Sequence, residues 1–149
     1  MATETFVIDS TLSQGAAFGR VIDLTRVSEW DRGVRDPQLI GGDPASLGAR
    51  YQVTVRGFDG APTNAVYELT NVEATSTFTM VGTHPDFRAE DTVTFESTST
   101  GCRVTYEASL VLLGDSPPLS DAQLTSTFAS LVAVPQAGLA SFLNPKVTP

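Results

Sequence analysis

A chain of 149 residues with 41% hydrophobic and 17% charged side chains can bury its own core and is too apolar to be disordered over most of its length. Its net charge of −8 opposes phosphate backbones and anionic membrane surfaces, which excludes nucleic-acid binding as a first reading and leaves solubility as the ordinary role of the charge. One cysteine, Cys102, and one histidine, His84, allow no internal disulfide and no metal site built from several cysteines or histidines.

Residues 1–5 carry no basic segment and no long apolar run, so no secretory leader is predicted there. No stretch reaches the ~20 apolar residues of a membrane span, and the lone thiol fits a reducing, cytoplasmic compartment. Residues 4–10 predict a first strand with Phe6 and Ile8 on one face. Ser13 offers an N-cap to a helix over residues 14–23, in which Phe18, Val21 and Ile22 recur at helical spacing. A second short helix is predicted around residues 26–30, capped by Thr25 and ended by Gly33.

From residue 35 the apolar period changes to two. Residues 36–41 read as a short strand, and the loop from Gly41 to Gly48 is rich in turn residues. Residues 49–57 put Tyr51, Val53 and Val55 on one face, and Asp59-Gly60 signals a hairpin turn. Further strands fit residues 64–73, 76–83, 87–97 and 102–113. In the last two, Phe87, Ala89, Asp91, Val93 and Phe95 share a face, as do Val104, Tyr106, Ala108, Leu110 and Leu112. Polar residues oppose both sets, the pattern of an antiparallel sheet covered on one side.

Pro117-Pro118 stops the last strand. Ser120-Asp121-Ala122-Gln123 then forms a capping-box pattern with Leu119 and Leu124 as its hydrophobic staple. The helix it opens runs to about Leu143 along an apolar stripe of Leu124, Phe128, Leu131, Val132, Pro135, Leu139, Phe142 and Leu143. Pro135 either kinks this helix or divides it in two.

Several local sequences are similar to one known superfamily. They are Phe6-Val7-Ile8-Asp9, a helix ending at Asp23, Trp30 beyond it, Gly41 and Gly48 flanking a loop, and Gly101-Cys102-Arg103-Val104-Thr105, where Cys102 replaces the threonine of a Gly-Thr-x-Val-Thr motif. Over roughly residues 4–143 the chain resembles the START-like (SRPBCC) superfamily, whose bacterial branch groups polyketide cyclases, dehydrases and lipid-transport-like proteins. The resemblance implies an α+β helix-grip fold. A curved seven-stranded antiparallel sheet would wrap a long C-terminal helix, with two short helices after the first strand and a cavity between sheet and helix. It implies one START-like domain over residues 1–143 and a flexible tail over 144–149.

Asp91 is the most informative single residue, because the alternation points its carboxylate into the dry face, where a lone charge is costly. It reads as a polar anchor or general base in the cavity, as a residue left at the rim by a register slip or bulge, or as a structural hydrogen-bond partner. The resemblance implies that Trp30 sits where the short helices meet the cavity mouth, lining it or packing the core. Tyr51, Tyr67 and Tyr106 lie on inner faces, where their hydroxyls would orient a ligand or be satisfied within the core. Phe78, Met80, Phe87, Phe95, Phe128 and Leu131 are lining candidates by the same facing argument. His84 reads as a solvated turn residue and Cys102 as an inert thiol.

No nucleophile elbow, phosphate loop, dinucleotide fingerprint or metal-ligand spacing is present, so no cofactor is expected. The expected function is binding of a hydrophobic or amphipathic small molecule, lipid-like or of an aromatic, polyketide type, in an internal cavity. The alternative is an enzyme similar to polyketide aromatase/cyclases or dehydrases that uses polar cavity groups for acid–base chemistry. An interaction module is a third reading, resting on the apolar outward residues Val111 and Leu113. The expected partner is the small ligand, with no nucleic acid and no membrane insertion, for a monomer or homodimer.

Overall fold

A computed structural model describes residues 1–114 and 118–145. Strands form where the period-two pattern is strongest: β1 (Ala2–Ser10), β2 (Arg35–Gly41), β3 (Arg50–Arg56), β4 (Pro62–Glu73), β5 (Thr77–Thr83), β6 (Phe87–Thr98) and β7 (Gly101–Leu112). Two helices, α1 (Gln14–Ile22) and α2 (Asp121–Phe142), occupy the segments with helical spacing. A 3-10 helix, Leu24–Glu29, follows α1.

The strands make one antiparallel sheet in the order β1-β7-β6-β5-β4-β3-β2. Between β1 and β2 the chain crosses from one sheet edge to the other through α1 and the 3-10 helix, whereas β2 to β7 follow one another as direct neighbours. The curved sheet and the C-terminal helix form the expected helix-grip arrangement. Register then sets which side chains meet. Asp91 pairs with Ala108 and Val93 with Tyr106, so Asp91 and Tyr106 are diagonal neighbours on the inner face.

The caps follow the local chemistry. Ser13 accepts the Ala16 N–H at the start of α1. Ser120 and Gln123 form the reciprocal capping box of α2. The predicted Thr25 cap is corrected: the carboxylate of Asp23 accepts the Thr25 N–H and starts the 3-10 helix two residues early, and that helix ends at Glu29, before Gly33. α2 runs unbroken through Pro135. Leu131 departs from the expected stripe and is 54% exposed, because the helix turns only Leu124, Phe128, Val132, Pro135, Leu139 and Phe142 fully inward. Asn144, expected to begin a loose tail, is tied down: its amide donates to the Asp9 carbonyl at 3.0 Å and its side-chain oxygen accepts the Thr11 N–H at 3.2 Å. Pro117 and residues 146–149 lie outside the described residues.

The interior divides into two parts. Beneath α1, Phe18 meets Phe95 edge-on at 5.3 Å and Phe78 at 6.0 Å, closing a solid aromatic core. Leu139 and Leu143, both fully buried, add the C-terminal end of α2 to the core. Gly138 permits a tight approach there, since a Cβ at that position would collide with the Trp30 carbonyl. Along the middle of α2, from Phe128 to Pro135, the sheet and helix leave space between them.

Candidate functional site

The space has two connected parts. An inner chamber of about 30 Å³ is walled by Trp30, Asp31, Tyr51, Tyr67, Met80, Asp91 and Tyr106, among others. An outer cavity of about 260 Å³ is walled mainly by apolar side chains, including Val55, Phe87, Ala89, Ala108, Leu110, Phe128, Val132 and Pro135. Asp31, Val34, Tyr67, Asp91 and Tyr106 border both parts, so a belt of four polar side chains and one valine forms the waist between them. Exposed Arg56, Phe58, Leu131 and Val134 stand at the mouth.

At the waist the Tyr106 hydroxyl donates to Asp91 Oδ2 at 2.6 Å. The Tyr106 ring is fixed from two sides, stacked on Phe6 at 4.9 Å and edge-on to Trp30 at 6.1 Å. Among the described residues no cation pairs with Asp91, which is half-buried in the cavity wall. Burial pushes its pKa up to about 7; the Tyr106 hydrogen bond opposes the rise, and Asp31 and Glu90 add to it. Burial likewise raises Asp31, although the Gly33 N–H donated to its Oδ1 at 3.0 Å works the other way. Burial raises the Tyr106 and Tyr67 hydroxyls as well, reinforced by the Asp91 charge. Chemically, the waist is a carboxyl group hydrogen-bonded by a phenol, with a second acid beside it.

Tyr67 owes its position to an absent side chain. Its ring lies directly over Gly82, its partner in β5, where a Cβ would come within 2.6 Å of the ring.

The sequence-derived candidates fall into groups. Tyr67, Phe87, Asp91, Tyr106 and Phe128 line the outer cavity, and Leu131 stands at its exposed rim. Met80 and Tyr51 belong to the inner chamber, but the Tyr51 hydroxyl is committed to the loop before β3, where it accepts the Ala45 N–H at 2.9 Å. Trp30 is not at the mouth: it is 1% exposed, at the inner end. Phe78 and Phe95 face inward as expected but pack on Phe18 in the solid core, away from both parts of the cavity. The facing rule assigns a side chain to the inner surface and carries no information about which end of that surface stays open.

His84 is also corrected. Its side chain is only 8% exposed, its ring stacks on Phe87 at 4.7 Å, and Nε2 lies 3.0 Å from Thr63 Oγ1. Its Nδ1 accepts the Asp86 N–H at 3.0 Å. The turn folds the imidazole back onto the cavity wall instead of into water. Cys102 is fully buried, which raises its thiol pKa. Asp31 was missed because it lies in an aperiodic segment, and its only signal, an aspartate two residues before Gly33, marks a turn. Among the described residues no cluster of three or more His, Cys, Asp or Glu side chains is placed to hold a metal, and no helix is long and apolar enough to cross a membrane.

Residues 1–136 match the family described as polyketide cyclase / dehydrase and lipid transport. The chain belongs to that family. No curated protein matches it in sequence. Among solved structures, a START superfamily protein from Mycobacterium smegmatis superposes with a TM-score of 0.75 at 8% identity, covering 95% of each chain. A conserved protein from Geobacillus kaustophilus gives 0.72 at 15% identity, covering 95% of this chain and 93% of its own. The di-domain ARO/CYC BexL of the BE-7585A biosynthetic pathway gives 0.72 at 11% identity, covering 99% of this chain and 50% of that one. At such identities the likeness is one of fold, and it agrees with the START-like resemblance of the sequence. Within the polyketide cyclase / dehydrase and lipid transport family the cavity between sheet and α2 is therefore the place to seek a ligand.

Proposed function

We propose that the protein holds a hydrophobic or amphipathic small molecule in the outer cavity, with the polar end of the molecule at the Asp91–Tyr106 pair. One observation carries this reading: a largely apolar space of about 260 Å³ opens at the mouth and ends on a polar belt. Well-packed interiors leave few voids larger than a water molecule, so an apolar space of this size favours an occupant. Native mass spectrometry of protein purified from its source tests the proposal. A stoichiometric small molecule is the expected result, and repeated recovery of bare protein that also fails to bind any aromatic or lipid probe would sink it.

A second reading, acid–base catalysis on the bound molecule, has its own support. Asp91 titrates near neutrality and shares a 2.6 Å hydrogen bond with a phenol, the arrangement a proton-transfer pair needs. The ring-closing and dehydrating chemistry in the family description requires such transfers. The two readings separate on Asp91→Asn. If the protein dehydrates its ligand, the variant co-purifies with a molecule one water heavier than wild type carries. If it only binds, both carry the same molecule.

A further inference from the structure

The polar groups of the cavity are sorted by charge. Asp31, from the segment after the 3-10 helix, Tyr67 from β4, Asp91 from β6 and Tyr106 from β7 all border the waist. Glu90, next to Asp91 on β6, contributes more negative charge. Among the described residues no lysine or arginine lines the inner chamber, and Arg56, the one arginine that lines the outer cavity, is exposed at the mouth. The Nδ1 of His84, in the outer wall, is engaged by the Asp86 N–H. What α2 presents to the cavity, Phe128, Leu131, Val132, Val134 and Pro135, is apolar.

Free bonding capacity remains at the inner end. Asp91 Oδ2 is taken by Tyr106, and among the described residues Asp91 Oδ1 and the Tyr67 hydroxyl form no hydrogen bond. Trp30, in the wall of the inner chamber, carries a buried indole N–H that likewise has no partner among the described residues. Water or a ligand oxygen would satisfy it.

We propose that the cavity selects molecules whose inward end is an uncharged or cationic hydrogen-bond donor, a hydroxyl or an amine, and rejects those that end in a carboxylate or phosphate. This rests on the cavity being a binding site and specifies what it takes. A hydroxyl donates to Asp91 Oδ1 and offers an oxygen as acceptor. An amine supplies the positive charge that the described walls of the inner chamber lack. An anionic head would be stripped of water beside two carboxylates, with no cation among the described residues of the inner chamber to offset the cost.

Four probes on one ring system test this with the full-length protein: methylnaphthalene, naphthylmethanol, naphthylmethylamine and naphthoate, with dissociation constants from calorimetry. Above the Asp91 titration near 7, at about pH 8, the alcohol or the amine is expected to bind at least about tenfold tighter than naphthoate. A preference for the amine that grows as pH rises through 7 assigns the head as an amine, and a pH-independent preference for the alcohol assigns a hydroxyl. In Asp91→Asn the preference over naphthoate should shrink severalfold, although the wild-type ranking decides the matter even if that variant folds poorly. Naphthoate binding as tightly as both donor probes would overturn the selectivity and leave the cavity reading intact. Failure of all four to bind, methylnaphthalene included, would remove the cavity reading and the selectivity with it.

Discussion

Asp91 holds a proton more firmly in the fold than in the unfolded chain, where a carboxyl of its type titrates near 3.8, against about 7 here. Its contribution to stability is complete below about pH 4, declines as pH rises, and is lost above about pH 7. Asp91→Asn should therefore leave stability near pH 4 almost unchanged and raise it by about 1–3 kcal/mol at pH 8. Urea unfolding across that range checks it: wild type should weaken with pH while the variant stays flatter, and parallel curves would remove Asp91 as the titrating group. The inward direction of Asp91 was legible from the alternation of β6, a local property. Its bond to Tyr106 was not, because it depends on the β6–β7 register. Gly82 is a second case. Gly82→Ala places a methyl against the Tyr67 ring and should cost about 1–3 kcal/mol while displacing that ring from the cavity wall. Thermal melts and probe affinity would both register it.

At the scale of elements, α2 has two jobs: its middle turns, from Phe128 to Pro135, roof the cavity, and its last turn, with Leu139 and Phe142, plugs the core. The capping box was readable because Ser-x-x-Gln is a contiguous signal, and Ser120→Ala should cost about 1 kcal/mol in denaturant unfolding. Gly138 lies deep in the same helix, where helix propensity favours alanine by about 1 kcal/mol. Contact with the Trp30 carbonyl reverses that preference, so Gly138→Ala should destabilise despite the better helix former; a rise in Tm would show that the two backbones can part at no cost. The 3-10 helix shows where local signals compete. Thr25 and Asp23 are both good caps, and the carboxylate of Asp23, already placed by the end of α1, takes the Thr25 N–H first.

At the scale of the molecule, the sheet and α2 enclose a space they do not fill, and filling it should separate folding from binding. Ala89, in the outer wall, is the place to try. Ala89→Leu should keep or slightly raise thermal stability while weakening the methylnaphthalene affinity at least about tenfold. Unchanged affinity would mean the probe binds elsewhere. Conversely, a ligand at a hundred times its dissociation constant should stabilise wild type by about 2.7 kcal/mol and the filled variant by much less.

Pattern alone determined the strand and helix segments, most of their inward faces and the Ser13 and Ser120 caps, because side-chain period and capping are set by neighbours within a few residues, and local motifs carried the resemblance to the START-like superfamily. Only the tertiary structure decided which inward side chains border open space. Phe78 and Phe95 meet Phe18 while Phe87 and Phe128 do not, because α2 and the sheet converge at one end and separate at the other. It also decided that Asp31 joins Asp91 and that the His84 ring folds back to meet Thr63, since both contacts link segments far apart in the chain. A void belongs to how layers are seated against each other, and no residue's period encodes it.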